Sequence, residues 1–236
     1  MVQKLKLGSL YVGGKPVTPG TECKPGQAIS FRAMVPDKAI NWVPVNGLLI
    51  ADRCLLTSIS WDDLNAQNLV FGKEIKIQGF QFCLRLLKVG STEGALNEWD
   101  TALDIVGDND DLWNWRNIFF WGQESVLAGA SLRVFRGYGS ARYFDWFSSG
   151  TRYSYLGFRP ALEPLHTDHS ALRPNQDVLV IWHDGCVVGK LVEETQYDLV
   201  LQPKPDGLVG NATFAANLQD STVAVDRSGI VSITST

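Results

Sequence analysis

Residues 135–163 read FRGYGSARYFDWFSSGTRYSYLGFRPALE, and this segment says most about the architecture of the chain. It contains a frame of arginines and small or apolar residues, namely Arg136, Gly137, Ser140, Ala141, Arg142, Arg152, Gly157, Phe158 and Arg159. Tyr, Phe, Trp, Asp, Ser and Gly fill the gaps in that frame. This composition is typical of binding loops, because flat aromatic side chains give a large contact area at low entropic cost.

The composition of the chain limits the classes of protein to which it can belong. A length of 236 residues suits one larger domain, or a domain with a small appendage. The hydrophobic share of 45% and the charged share of 19% are ordinary for a globular protein. The net charge of -4 argues against a nucleic-acid partner. We found no apolar run suited to membrane insertion and no signal-peptide core, so synthesis in the cytoplasm is expected.

The four cysteines predict buried thiols rather than a metal ribbon or a redox motif. They lie far apart in the sequence, without a CxxC pair, at Cys23, Cys54, Cys83 and Cys186. A disulfide between two of them is a less favoured alternative. The glycine-containing run at residues 185–191 resembles a phosphate loop, but it has one residue too few and lacks the Ser or Thr that holds magnesium. No cofactor is therefore expected.

Two groups of polar residues raise the question of metal binding. His166, Asp168 and His169 resemble metal ligands together with His183, but residues beside a proline-bearing linker are more often solvated. Residues 108–111 carry oxygen atoms suited to calcium, although their spacing is not that of an EF-hand. The start of a capped helix explains these acids equally well, so the sequence leaves calcium binding open there.

Periodicity and turn residues divide the chain into three parts. Residues 1–41 are predicted to form an N-terminal β element, because strand-like runs alternate there with glycine- and proline-containing turns. Residues 42–165 are predicted to form the main domain. Residues 170–236 differ in composition from the main domain, follow a polar linker, and are predicted to form a small β-rich domain or appendage. The turn residues His183-Asp184-Gly185, between two apolar runs, are a strong signal for a hairpin in this last part.

Local signals place several elements within the main domain. Ser60 followed by Asp63 resembles a capping box, which predicts a short helix over residues 61–67. Alternating apolar residues on either side of Gln78-Gly79 predict a hairpin. Residues 97–106 have helical spacing and end before a glycine. Residues 131–136 and 156–162 are predicted strands, and the dense aromatic residues of 112–121 are predicted to belong to the core.

Catalysis has weak support in the sequence. A GxSxG nucleophile elbow is absent, and the histidines lie far from the aromatic segment. Asp145 is the carboxylate best placed to serve as a general base, because its aromatic neighbours could raise its pKa by burial. A binding loop would use the same side chain to accept hydrogen bonds, and we favour that interpretation. An enzyme is therefore not expected.

The frame residues carry a resemblance to a known family. They are Arg136-Gly137, Ser140-Ala141-Arg142, Arg152 and the closing Leu156-Gly157-Phe158-Arg159. This pattern resembles the formylglycine-generating-enzyme type of C-type lectin fold and, more specifically, the variable proteins of diversity-generating retroelements. The resemblance covers about residues 42–165. It implies an α+β protein with a C-type lectin-like domain, β-rich N- and C-terminal extensions, and a variable segment at 135–159.

In that family chosen surface positions vary while the scaffold stays constant, so the resemblance divides the segment into two sets. The scaffold would be Arg136, Gly137, Ala141, Arg142, Gly157, Phe158 and Arg159. The candidate ligand-binding residues are Gly139, Tyr143, Phe144, Asp145, Trp146, Phe147, Ser148, Ser149, Thr151, Tyr153, Ser154 and Tyr155. The alternative for Phe144, Trp146 and Phe147 is that they are ordinary core residues.

The sequence departs from the enzymes and sugar-binding proteins with related folds. Cysteine is absent between Cys83 and Cys186, so the copper-dependent activity of the enzyme family is not expected. Gln202-Pro203 is followed by lysine, which does not match the calcium-dependent sugar-binding triplet. The first hypothesis is a non-enzymatic protein of phage or prophage origin, associated with the virion, that binds a protein or glycan on a target surface. The alternative is a structural subunit of a phage tail or baseplate, with an oligomeric state that the sequence leaves open.

Overall fold

A computed structural model describes residues 4–126, 129–165, 172–211, 213–218 and 220–236. Fourteen strands precede residue 165: β1 (Leu5–Val12), β2 (Lys15–Pro16), β3 (Thr21–Glu22), β4 (Ile29–Arg32), β5 (Ala39–Val45), β6 (Leu48–Ala51), β7 (Leu56–Thr57), β8 (Lys73–Ile77), β9 (Phe80–Leu86), β10 (Phe119–Ser125), β11 (Leu132–Gly137), β12 (Phe144–Ser148), β13 (Leu156–Phe158) and β14 (Pro160–Pro164). Six more follow: β15 (Asp177–Trp182), β16 (Gly185–Glu194), β17 (Asp198–Gly210), β18 (Ala215–Asn217), β19 (Val223–Asp226) and β20 (Ser232–Ser235). The described α-helices are α1 (Trp61–Asn65), α2 (Glu98–Val106) and α3 (Asp110–Trp113).

The strands form three sheets. The first has the order β2-β1-β5-β6-β14-β9-β8, with β4 paired to β1 as its eighth strand. The second has the order β12-β11-β10-β13-β7-β3, in which β13 runs parallel to β10 and antiparallel to β7. The third has the order β18-β19-β17-β16-β15-β20 and consists only of residues from the C-terminal part. β12 is therefore the last strand at one edge of the second sheet.

The central strands of the first two sheets are buried on both faces. Trp42 and Leu49 on neighbouring strands belong to one core cluster, whereas the next residues along each strand, Val43 and Ile50, belong to another. Since successive side chains of a strand point to opposite faces, the sheet separates these two clusters. α2 and α3 contribute to the second cluster. The same alternation holds in the second sheet, where Phe120 lies in the second cluster.

The predicted α+β class with a C-type lectin-like domain is wrong. Strands contain 49% of the residues and helices 11%, so the protein is mostly β. α2 has nine residues and the other two α-helices of the described regions have five and four. Helices this short cannot cover a sheet as a separate layer. The cores are instead built mainly from strand residues that pack against each other.

Several local predictions are confirmed. α1 begins with the capping box, because Ser60 Oγ accepts from the Asp63 N–H and the Asp63 carboxylate accepts from the Ser60 N–H. α2 begins after Asn97, whose side chain accepts from the Asp100 N–H at 2.8 Å. β8 and β9 form the expected hairpin, and so do β15 and β16. The predicted strand over 156–162 is interrupted at Arg159 and joins two different sheets as β13 and β14.

The N- and C-terminal parts are integrated with the rest of the chain. β1, β2 and β4 belong to the same sheet as β5, β6, β14, β9 and β8. In the third sheet, Leu179 and Ile181 join the core cluster that contains residues of the first two sheets. The Ser232 hydroxyl donates to the Gly47 carbonyl at 2.9 Å. The other face of the third sheet encloses its own cluster, which includes Trp182.

Candidate ligand-binding surface

The segment 135–159 forms one end of the second sheet. β12 pairs with β11 so that Phe135 lies opposite Asp145 and Val134 opposite Trp146. After β12 the chain turns back, and β13 pairs with β10. The backbone N–H of Phe119, at the start of β10, donates to the Tyr155 carbonyl at 2.7 Å. The aromatic residues of the segment are thus attached to regular sheet structure.

Three arginines of the segment fasten it to two helices. Arg136 is buried and forms an ion pair with Asp100 of α2. Arg142, which is exposed, pairs with Asp104 one turn further along the same helix at 2.5 Å. Arg152 forms an ion pair with Asp63 of α1, and it also donates to a backbone carbonyl. Each end of the aromatic segment is therefore held by a charged contact to a helix.

The electrostatics of Asp63 reflect this arrangement. Burial raises the pKa of Asp63, but hydrogen bonds from the Ser60 side chain and backbone and from Arg152 outweigh burial, so the pKa lies below its usual value. Asp63 is therefore held in its charged form by the capping box and by the arginine of the segment.

Arg159 holds the segment from the interior. Its guanidinium is fully buried, lies over the rings of Trp99 and Phe120, and donates to the Trp113 carbonyl at 2.7 Å. Burial lowers the pKa of Arg159. The neighbouring Cys54 thiol is also buried, and burial raises its pKa to about 11. Backbone carbonyls and ring faces thus surround this buried cation in place of a direct carboxylate partner, while its Nε has no hydrogen-bond partner among the described residues.

Glycines of the frame occupy positions that exclude a side chain. Gly137 has a φ of 105°, and a Cβ atom there would lie 2.5 Å from the Ile118 carbonyl oxygen. A Cβ atom on Gly157 would lie 2.2 Å from the Leu56 oxygen. Gly139, by contrast, has open space around it. Of the seven scaffold residues that the resemblance names, all but Arg142 are buried.

Six aromatic rings form a continuous surface at this end of the sheet. We call Phe119, Tyr138, Tyr143, Phe147, Tyr153 and Tyr155 the tyrosine patch. Phe119 lies at its centre, with ring centroids 4.6 Å from Tyr138 and 6.1 Å from Tyr155. Tyr153 stacks on Tyr155 at 4.9 Å. Each of the four tyrosines is 38–43% exposed.

The tyrosine patch continues the core to the surface. Phe135 is 1% exposed, and its ring lies 4.5 Å from Phe119 and 4.3 Å from Phe147. The two phenylalanines of the patch are half-buried and pack on the same core cluster. The tyrosines outside them therefore rest on a rigid base. An exposed group of rings of this kind is unusual on a protein surface unless it meets a partner.

Asp145 is a charged residue that contacts the patch. Phe147 lies two residues after Asp145 on β12, so these two side chains share one face of the strand, and Tyr143 lies just before the strand begins. The Tyr143 hydroxyl donates to Asp145 Oδ2 at 3.1 Å, and this hydrogen bond with the nearby negative charge raises the pKa of Tyr143. The Trp146 N–H donates to Asp145 Oδ1 at 2.8 Å. Among the described residues, no ion pair reaches Asp145.

The structure brings only part of the predicted set together. None of the twelve candidate residues is classed as buried. Phe144 and Trp146 lie on the face of β12 opposite the patch; Phe144 packs on the second core cluster, and Trp146 is 42% exposed. The Ser149 hydroxyl donates to Asp62 of α1 at 3.0 Å. The other polar candidates lie near the strand ends or turns, at Gly139, Ser148, Thr151 and Ser154.

Two members of the patch were missed by the sequence analysis. Tyr138 belongs neither to the frame nor to the candidate residues, although its position between Gly137 and Gly139 indicates an exposed ring in a turn. Its φ of 73° is uncommon for a bulky residue and is often associated with functional surfaces. Phe119 was assigned to the core with its aromatic neighbours. Trp113, Phe120 and the neighbouring tryptophan at 121 are indeed fully buried.

The metal hypotheses receive no geometric support within the described ranges. No three His, Cys, Asp or Glu side chains gather there in a metal-binding arrangement. Residues 108–111 include the cap of α3, since Asn109 Oδ1 accepts from the Asp111 N–H at 2.9 Å. His166, Asp168 and His169 lie outside the described residues. All four cysteines are free thiols; the predicted burial is confirmed for Cys23, Cys54 and Cys186, whereas Cys83 is half-buried.

The comparisons do not assign the chain to a known group. Searches of protein-family models, curated proteins and solved structures found no match. In particular, no solved structure with a C-type lectin-like fold matched. Within the part of the chain that the structure describes, no helix has the length and apolar character required to cross a membrane.

Proposed function

We propose that this chain is a non-enzymatic binding protein that recognises a protein or glycan on a target surface through the tyrosine patch. The observation that carries the proposal is the group of four partly exposed tyrosines supported by Phe119 and Phe147. Tyrosine is favoured at binding surfaces because a rigid ring and a hydroxyl contribute contact area and hydrogen bonding together. Phage or virion association forms part of this proposal.

We also propose that the candidate positions of the segment form the diversified face of a variable protein of a diversity-generating retroelement, on a β-rich scaffold. The proposal is supported by the separation between partly exposed candidate positions and buried frame residues such as Gly137, Gly157 and Phe158. Sequencing of the flanking DNA tests it. We expect a reverse transcriptase gene and a near-copy of codons 135–159 with adenines at the candidate positions. Flanking DNA without either would contradict this part of the proposal.

A binding experiment tests the proposal for the tyrosine patch. Wild-type protein and the triple variant Tyr143→Ser, Tyr153→Ser, Tyr155→Ser are applied to arrays of peptides and glycans. Tyr197→Ser is the matched control, because Tyr197 is 72% exposed and belongs to no ring cluster in the described structure. We expect the triple variant to lose binding that Tyr197→Ser retains, while both remain folded. Equal binding by the triple variant, or loss of its folded state, would contradict the proposal.

The alternative, a structural subunit of a phage tail or baseplate, is favoured by one observation. β12 lies at the sheet edge and presents Trp146 on the face away from the patch. An exposed edge strand with a large ring suits a contact between subunits. Measurement of mass in solution distinguishes the proposals: an oligomer that Trp146→Ser converts to a monomer supports assembly, whereas a wild-type monomer argues against it.

A further inference from the structure

The negative charge of Asp145, which contacts the tyrosine patch through Tyr143, restricts the chemistry of the partner. The Asp145 carboxylate has about four acceptor positions, and the Tyr143 hydroxyl and the Trp146 N–H use two of them. Capacity for further hydrogen bonds therefore remains. The nearby arginines of this chain do not occupy the remaining acceptor positions, because Arg142 pairs with acids of α2 and Arg152 pairs with Asp63.

A ligand that covers the patch must remove water from Asp145. A neutral ligand would leave the carboxylate desolvated and without an opposite charge, which is unfavourable. A cation would compensate that charge and would also interact favourably with the electron-rich faces of the tyrosine rings. Among cationic side chains, arginine combines a planar group that stacks on rings with a fork that matches a carboxylate.

We propose that the patch binds a protein partner through an arginine side chain, with the guanidinium hydrogen-bonded to Asp145 and stacked against the tyrosine rings. This inference rests on the proposed function and names the chemistry of its partner. The hydroxyl of Tyr143 contacts Asp145, and the ring of Tyr143 lies 5.9 Å from Phe119, which in turn lies 4.6 Å from Tyr138. A guanidinium beside Asp145 is therefore next to Tyr143, whose ring is continuous with the rest of the patch.

Titration of ring-labelled tyrosine resonances tests the inference. Four of the six tyrosines belong to the patch, and Tyr11 and Tyr197 serve as internal controls. The probes are N-acetyl-arginine amide, its neutral isostere N-acetyl-citrulline amide, and methyl glucoside. We expect saturable shifts of the patch resonances with the arginine probe alone, with a dissociation constant on the order of 1 mM for one side chain. Added salt should weaken this binding.

Asp145→Asn keeps the size of the side chain and removes its charge. We expect at least about tenfold weaker binding of the arginine probe, whereas Asp37→Asn, which removes an exposed charge elsewhere, should leave it unchanged. Equal shifts from citrulline or methyl glucoside, the absence of shifts from every probe, or unchanged binding by Asp145→Asn would overturn the inference. If array binding still requires the patch in those cases, the proposed function stands. If array binding does not require it, the proposed function fails independently.

Discussion

Replacement of Asp100 by asparagine should destabilise the protein strongly, because it leaves the buried Arg136 without a charged partner. Among the described residues, Asp100 is the acid that pairs with this guanidinium, whose side chain is 2% exposed. Breaking a buried ion pair from one side costs about 3–5 kcal/mol. We expect about 3 kcal/mol, the lower end of this range, because the Asp100 side chain is 21% exposed and water can partly replace it.

Asp104 provides a matched control on the same helix. It pairs with Arg142, and these two side chains are 70% and 44% exposed. Exposed pairs contribute about 0–1 kcal/mol, so Asp104→Asn should have a small effect. Urea unfolding followed by tryptophan fluorescence measures both, and for a chain of this size about 3 kcal/mol corresponds to a drop of roughly 6–12 °C in melting temperature.

The double variant Asp100→Asn, Arg136→Met separates the ion pair from other roles of Asp100. The acid lies in the first turn of α2, where it also interacts favourably with the helix dipole, a contribution of about 0.3–1 kcal/mol. Because the double variant contains no unpaired buried charge at this position, it should be more stable than Asp100→Asn alone. Similar losses for Asp100→Asn and Asp104→Asn, or no recovery in the double variant, would refute the reasoning.

Three further predictions concern the segment and its surroundings. The pKa of Asp63 is lowered in the folded state, so the charged carboxylate should stabilise the protein above its unfolded pKa of 3.8, and this stabilisation should be lost as the pH falls below that value. Asp63→Asn should therefore flatten the profile of unfolding free energy against pH between about pH 5 and pH 2. Gly137→Ala should cost at least about 2 kcal/mol, through its positive φ and its contact with a carbonyl, whereas Gly139→Ala should stay within about 0.5 kcal/mol; urea midpoints test both, and equal effects would contradict the geometry. Native alkylation at pH 8 followed by mass spectrometry should modify Cys83 before the three buried thiols, and a buried thiol that reacts first would contradict this order.

The local elements were predictable because their signals lie within a few residues of each other. The capping box of Ser60 and Asp63 and the hairpin turn at Gln78-Gly79 depend on backbone hydrogen bonds and φ values that the local sequence determines. The arrangement of the sheets was not predictable in this way. Leu156–Phe158 lies parallel to β10, a long-range pairing, and the buried Arg159 separates it from the next strand. The predicted fold class depended on the resemblance of the segment 135–159 to a known family, and that resemblance gave no information on how the three sheets are arranged around the segment.

The candidate surface was predicted in part for the same reason. The composition of the segment indicated aromatic residues beside polar ones, but not which of them share a face. Once Phe144–Ser148 is a strand, the alternation of side chains separates Asp145 and Phe147 from Trp146. If the sequence had predicted this strand, the candidate residues of β12 could have been assigned to its two faces. Phe119 required knowledge of the tertiary structure, because its sequence neighbours are buried and it is only half-buried.

The placement of the tyrosines makes stability and recognition largely separable in this protein. Replacement of a ring at the patch leaves a space that solvent can fill, so it lacks the cavity cost of a truncation in the core. Replacement of Phe158, which is fully buried, or of Gly157, whose Cβ would meet a carbonyl, changes the packing of the second sheet itself. The arginines that hold the segment contact helices α1 and α2 and the interior, and among the described contacts none of them lies over a ring of the tyrosine patch. Substitutions among the exposed positions can therefore alter what the surface binds while the contacts that orient the surface remain in place, which is the property that the proposed diversified face requires.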